Sequence, residues 1–310
     1  MNVDEFQKQT GIREFAKTEL PDMIRERLSD YQLSSVYASE TVKNNGKVLL
    51  GITVVPEGQE ISPCIYVEPY IPPDPSRFRG KDTWAKVADR LANDFRYALD
   101  SIKPESVTIF DPAGIEENLV LELVNREKNL ELLKDRPYRS YLDLAAIMKW
   151  RVFCGGRAGT VAISNEVTET WDIPVDELFD IALQNTMRLY PPRVDPLDEV
   201  IREISQGILS DIDSPFYYVG TKHGLKGSIA LLYPGLLRQI YETIGETYYL
   251  IPSSINELLA LPESYESDQE RLRDLIWEVN TYMLDRSDVL ADTLYRYNPE
   301  YDKLEMLLLS

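Results

Sequence analysis

Apolar positions recur along this chain with two spacings, and each spacing marks a kind of element. Helical spacing appears first. Val3, Phe6, Ile12, Phe15 and Ala16, and then Met23, Ile24 and Leu28 beyond Pro21, predict two short helices. Two strand-like runs, 33–43 and 47–55, flank Asn44-Asn45-Gly46, and an Asn-Gly pair in that setting predicts a hairpin. A third strand is expected at 65–67. Trp84, Val87, Leu91, Phe95, Ala98 and Leu99 then give the clearest amphipathic helix, with Lys86, Asp89, Arg90, Asp94 and Arg96 on its other side. The first third therefore predicts a helix laid across a three-stranded antiparallel sheet. Between them, 70–80 holds Pro72, Pro73 and Pro75 and predicts an extended connection.

Residues 103–114, with Pro104 and Pro112, mark the expected boundary between two lobes, 1–103 and 104–310. In the second lobe 119–124 is strand-like, and Asn125 is placed to cap a helix carrying Leu130 and Leu133. Residues 142–154 and 160–163 predict a hairpin across the glycine-rich 155–159. Trp171 and Pro174 precede a helix with Leu178, Phe179, Ala182 and Leu183 inward, and a more polar helix is expected over 194–212.

The stretch 216–263 carries the densest signals. Runs 216–219 and 229–232 flank Gly220, Gly224 and Gly227 and predict a loose hairpin, and Pro234 then opens a helix closed by Gly245. A strand at 248–251 follows, and Ser254 with Glu257 has the spacing of a capping box opening another helix. Leu272, Leu275, Ile276, Val279 and Met283 predict the last amphipathic helix, and 293–297 with 304–308 the last hairpin. The fold class expected is α+β, with antiparallel sheets and amphipathic helices packed on them in two lobes.

Composition changes the picture mainly through charge. The net charge is −19, and from residue 211 onward 17 Asp and Glu stand against 8 Lys and Arg. Such a surface repels phosphate, which argues against direct nucleic-acid binding and against docking on anionic membranes, while mimicry of DNA by an acidic face stays open. The start, MNVDEFQKQT, shows no leader pattern and no apolar run reaches membrane-spanning length, so a cytoplasmic protein is expected. Cys64 and Cys154 read as reduced core thiols.

The single histidine, His223, removes metal sites needing two imidazoles, and its glycine-bracketed setting reads as a surface turn. No phosphate-cradling or dinucleotide-binding glycine pattern is present, and no cofactor is expected. Asp211 and Asp213 would share a side of an extended chain and are the candidate carboxylates for a hydrolase, with or without a divalent ion. Asp111, Glu116 and Glu117 form a second acidic group that reads as solvated surface. Ser254 is accounted for by its cap rather than as a nucleophile. Tyrosine is enriched late, with 11 of 19 after residue 211. Tyr217, His223, Tyr249, Tyr295 and Tyr297 are therefore the candidate interaction surface for a protein partner, since tyrosine joins an apolar body to a polar tip.

The motif order resembles an uncharacterised bacterial family, the domain-of-unknown-function 5688 family, over nearly the full length. The matching pieces are Gly51-Ile52-Thr53-Val54-Val55-Pro56-Glu57-Gly58 with Pro63-Cys64-Ile65-Tyr66, and Leu123-Val124-Asn125-Arg126-Glu127-Lys128-Asn129. Trp171 before Asp176-Glu177-Leu178-Phe179, then Ala230-Leu231-Leu232-Tyr233-Pro234 and Tyr249-Leu250-Ile251-Pro252-Ser253-Ser254, continue the series. The resemblance implies a recurring fold and brings no activity, ligand or catalytic residue. The function expected is a non-catalytic protein-binding or regulatory module, with the carboxylate hydrolase and the acidic DNA mimic as its rivals.

Overall fold

Asn45 at φ 56° and Gly46 at φ 68° adopt the left-handed conformations that let a strand turn back on itself. They are seen in a computed structural model that describes residues 3–58, 62–72, 80–101, 110–154, 157–209, 213–222, 224, 226–266 and 268–307. The chain divides into two compact units. The first comprises Met1–Lys43, Lys47–Thr108 and Phe153–Gly159, and the second comprises Asn44–Gly46, Ile109–Val152 and Thr160–Ser310.

In the first unit, helices α1 (Val3–Thr18) and α2 (Leu20–Arg27) lead into the antiparallel sheet β1-β2-β3, made of β1 (Leu33–Val42), β2 (Val48–Pro56) and β3 (Cys64–Tyr66). Helix α3 (Lys81–Ser101) buries Trp84, Leu91 and Phe95 in one cluster with Leu50, Ile52 and Val54 of β2. Its apolar residues recur every three or four positions and so form one stripe, which shares this cluster with Ala16 of α1, Leu20 and Ile24 of α2 and Leu28 just beyond it, so three helices close the core. Cys64 departs from expectation: its side chain is exposed, because a three-residue strand with one sheet neighbour leaves it uncovered. The side chain of Cys154, residues 73–79 of the proline-rich connection and 102–109 of the expected boundary lie outside the described residues.

In the second unit, α4 (Ile115–Asn118) runs into β4 (Leu119–Asn125), every residue of which is buried. Asn125 accepts the Lys128 N–H at 2.9 Å, the cap its position suggested, and a short α5 (Leu130–Leu133) follows. Strands β5 (Tyr138–Tyr141), β6 (Leu144–Cys154) and β7 (Arg157–Ala162) complete a sheet ordered β4-β6-β5, with β7 also on β6. Leu142, at φ 55°, turns between β5 and β6, so the strand read from 142 begins at 144. Helices α6 (Asn165–Glu169) and α7 (Val175–Leu189) follow, and α7 buries Leu178, Phe179 and Ala182 as expected.

The largest sheet holds six antiparallel strands. In chain order the segments are β8 (Pro192–Pro196), α8 (Leu197–Ile204), β9 (Tyr217–Thr221), α9 (Leu236–Ile244), β10 (Tyr248–Ile251), β11 (Leu258–Pro262), α10 (Gln269–Tyr282), β12 (Leu294–Asn298) and β13 (Lys303–Leu307). Strand order is β13-β12-β10-β11-β9-β8. Helix α9 ends at Gly245, φ 87°, where a side chain would strain the left-handed cap.

Three segments differ from the sequence reading. The helix expected over 194–212 is instead strand β8 and the short α8, because Asp195 precedes a proline and is driven toward extended backbone. Gln206 and Gly207, both at positive φ, then stop any continuation. The hairpin expected between 216–219 and 229–232 is not formed. Strand β9 already has β8 on one edge and β11 on the other, so Gly227–Leu232 coils into a 3-10 helix. Gly227 is needed there, since a Cβ would lie 2.2 Å from the Asn256 carbonyl oxygen. Finally, Ser254 and Glu257 do bond each other, and the Ser254 hydroxyl accepts the Asn256 and Glu257 N–H groups. They close a turn into β11 rather than open a helix, because Leu258–Pro262 gains strand neighbours on both sides.

The six-stranded sheet is covered on both faces. Tyr248, Tyr295 and Tyr297 pack in the main core, while Tyr249 and Leu294 pack on the opposite face with Leu272 and Ile276 of α10. Among the described residues no helix is long and apolar enough to cross a membrane.

Candidate functional site

Several chain segments finish or begin together at one end of the six-stranded sheet. Pro196 ends β8 opposite Tyr217, the first residue of β9, and Tyr217 also pairs with Ala260 of β11. Pro262 ends β11 opposite Tyr248, the first residue of β10. Glu246 is delivered just ahead of β10 by the Gly245 cap. The space between them is a cavity of about 420 Å³.

Its wall has two characters. Pro196, Pro215 and Pro262, with the rings of Phe216, Tyr217 and Tyr265, supply flat apolar surface. Asp213 and Glu246 supply carboxylates, Ser214 and Ser264 supply hydroxyls, and none of these described lining residues is basic. Glu246 is oriented from behind: its carboxylate accepts the Ser264 N–H at 3.1 Å and the Ser264 hydroxyl at 2.6 Å. Asp213 is exposed. Next to the cavity, Glu263 takes a bidentate ion pair from Arg296, at 2.9 and 2.8 Å, that ties the end of β11 to β12 across β10. The Arg296 hydrogen bonds outweigh burial and hold the Glu263 carboxyl below the usual range.

The remaining perturbed groups belong to the frame. Glu122 on β4 is buried, and its carboxylate meets the ammonium groups of Lys149 and Lys226. Burial alone would raise its pKa, but the two lysines outweigh burial and lower it. Tyr295 donates to Asp143, which also accepts from the Thr293 hydroxyl at 2.6 Å. Burial, with the Asp143 charge, pushes the Tyr295 phenol up. Tyr297 stacks on Tyr248 with ring centres 5.0 Å apart and donates to Asp302 at 2.6 Å. Burial and that bond push its phenol up to about 12.

Of the residues singled out in the sequence, Tyr217 and Asp213 come together in the cavity wall. Tyr249, Tyr295 and Tyr297 do not form a surface: all three are at most 1% exposed, because a sheet covered on both faces leaves neither set of alternating side chains in water. Asp211 and His223 lie outside the described residues. Asp111 caps the 3-10 turn at Pro112–Gly114 by accepting the Ala113 N–H. Glu246, Ser264 and Tyr265 carry no motif in the sequence. The one available signal was the Gly245 cap, which fixes where the chain leaves α9. Among the described residues no group of three or more His, Cys, Asp or Glu side chains is placed to hold a metal ion.

Fold and cavity together define an α+β protein with an acidic, aromatic cleft at one end of an antiparallel sheet. The chain matches the model of a family of unknown function, DUF5688, over residues 12–299, and it belongs to that family. No curated protein and no solved structure matches it.

Proposed function

We propose that the chain is a non-catalytic protein-binding or regulatory module whose cleft takes an extended, cation-bearing stretch of a partner polypeptide. The observation that carries this reading is the cavity wall itself, where the aromatic rings of Tyr217 and Tyr265 and the carboxylates of Asp213 and Glu246 share one space of about 420 Å³. A guanidinium or ammonium gains from both kinds of group. Each such contact at a partly exposed site is worth about 0.5–1 kcal/mol, so useful affinity needs several contacts at once. Three prolines and Phe216 offer the flat surface on which an extended segment packs without polar loss.

Glu246 is already engaged by Ser264, which suits a fixed negative wall better than a proton-transferring group. The chain-wide charge of −19 adds long-range attraction for a basic partner. The test is calorimetric titration with a decapeptide alternating Arg and Pro against a counterpart carrying Glu for Arg. The reading expects binding of the first alone, weakened about two- to fivefold by Tyr217→Ala and again by Asp213→Asn. Equal binding of both peptides, or indifference to both substitutions, would refute it.

A further inference from the structure

Helix α10 carries more apolar surface than the fold buries. Leu272 and Ile276 face the sheet, yet Leu275, Trp277, Tyr282 and Met283 are left exposed, Trp277 at 56% and Met283 at 79%. Trp277 and Tyr282 meet edge to face with ring centres 5.9 Å apart, so the two aromatics hold each other as one raised patch. The sequence pattern had placed Leu275 and Met283 on the inward stripe. The structure turns both to solvent, where three large apolar side chains on one helix, with Met283 at its C-cap, exceed the scattered exposed apolar residue that any surface carries.

The charges around the patch choose its occupant. Arg271 is taken by Glu266 at 3.3 Å, and Arg273 donates to the Leu307 carbonyl oxygen. Asp274 and Glu278 flank Trp277 and carry no ion pair among the described residues. A second copy of this helix would bring these carboxylates against their own counterparts, in a chain already at −19. Trp277 and Tyr282 are five positions apart, so their joined rings run along the helix axis for more than one turn, a length that the apolar face of another helix can cover. We infer that the outer face of α10 docks a basic amphipathic helix of another protein, with its apolar side on Trp277 and Tyr282 and its Lys or Arg residues on Asp274 and Glu278. This surface shares no residue with the sheet-end cleft, and either assignment stands or falls without the other.

Trp277 is its own reporter, because Trp84, Trp150 and Trp171 are each at most 4% exposed. Acrylamide quenching of tryptophan fluorescence in the full chain therefore reads α10. The probes are an 18-residue helical Lys/Leu peptide, its Glu/Leu counterpart, and a Lys/Ser peptide of the same charge. The inference expects the Lys/Leu peptide alone to protect Trp277, with affinity falling about tenfold or more when Tyr282→Ser and Met283→Ser are combined, changes that leave the core untouched. Three results would overturn it. One is no protection by any peptide, and another is equal protection by the Lys/Leu and Lys/Ser peptides. The third is protection that grows with protein concentration alone, which would make the occupant a second copy.

Discussion

Replacing Glu122 by Gln tests the electrostatics of the second unit at its most demanding point. The Glu122 side chain is 8% exposed, Lys149 beside it 16%, and Lys226 37%. Glu122 pairs with Ile147 of β6, which makes Lys149 a diagonal neighbour on the same face of the sheet. The substitution leaves Lys149 charged with its carboxylate gone. Breaking a buried pair from one side costs about 3–5 kcal/mol, and because Lys226 is free to swing into water the lower end, about 3 kcal/mol, applies. Lys226→Met, which leaves Glu122 paired with Lys149, should cost clearly less.

The pH dependence has a definite sign. The folded Glu122 pKa lies below its ordinary 4.5, so its contribution is fully present above 4.5 and is lost as pH falls through the depressed folded value. Urea unfolding followed by tryptophan fluorescence measures this, since Trp150, Trp171 and Trp277 all belong to the second unit. The gap between wild type and Glu122→Gln should be constant from pH 5 to 7, to order of magnitude about 3 kcal/mol, and should narrow toward pH 3. A gap under about 1 kcal/mol at neutral pH, or one that widens on acidification, would refute the reasoning.

Other substitutions test the frame that holds the cleft. Gly245→Ala should cost about 1 kcal/mol by thermal denaturation, all of it backbone strain, because φ is 87° and nothing lies within 4 Å of the added methyl group. Asn45→Gly keeps the left-handed turn but removes the side-chain amide that donates at 2.7 Å to the carbonyls of Arg286 and Val289. A loss of about 2 kcal/mol in urea is expected, and an unchanged midpoint would show those acceptors to be satisfied by water. The phenols of Tyr233, Tyr248 and Tyr295 are raised above 10 by burial, so their contribution is complete below pH 10 and is lost above it. Absorbance titration should show them ionising together with unfolding, and their ionisation in a chain that is still folded would contradict the assignment.

Much of the fold was legible because some signals are local. The Asn45-Gly46 turn, the cap at Asn125, the stripe of α3 and the Gly245 cap each depend on residues within a few positions of one another. What was misread depends on partners far along the chain. Whether 229–232 is a strand is settled by β11 having already taken the free edge of β9, and whether Ser254-to-Glu257 opens a helix is settled by the same strand. The candidate site divides the same way. Tyr217 and Asp213 were visible as residue types, but Glu246, Ser264 and Tyr265 reach the cavity only because β10 and β11 lie between β9 and the rest of the sheet. Tyr249, Tyr295 and Tyr297 were mistaken for surface because alternation along a strand does not say that helices cover both faces.

The central claim is that the sheet-end cleft reads cationic, extended peptide. Selection of a random peptide library on the wild-type chain, with counter-selection on a Tyr217→Ala, Asp213→Asn double variant, tests it most directly. The account predicts enrichment of Arg or Lys next to proline or aromatic residues, lost on the double variant. An acidic consensus, or the same basic consensus recovered from the double variant, would contradict it.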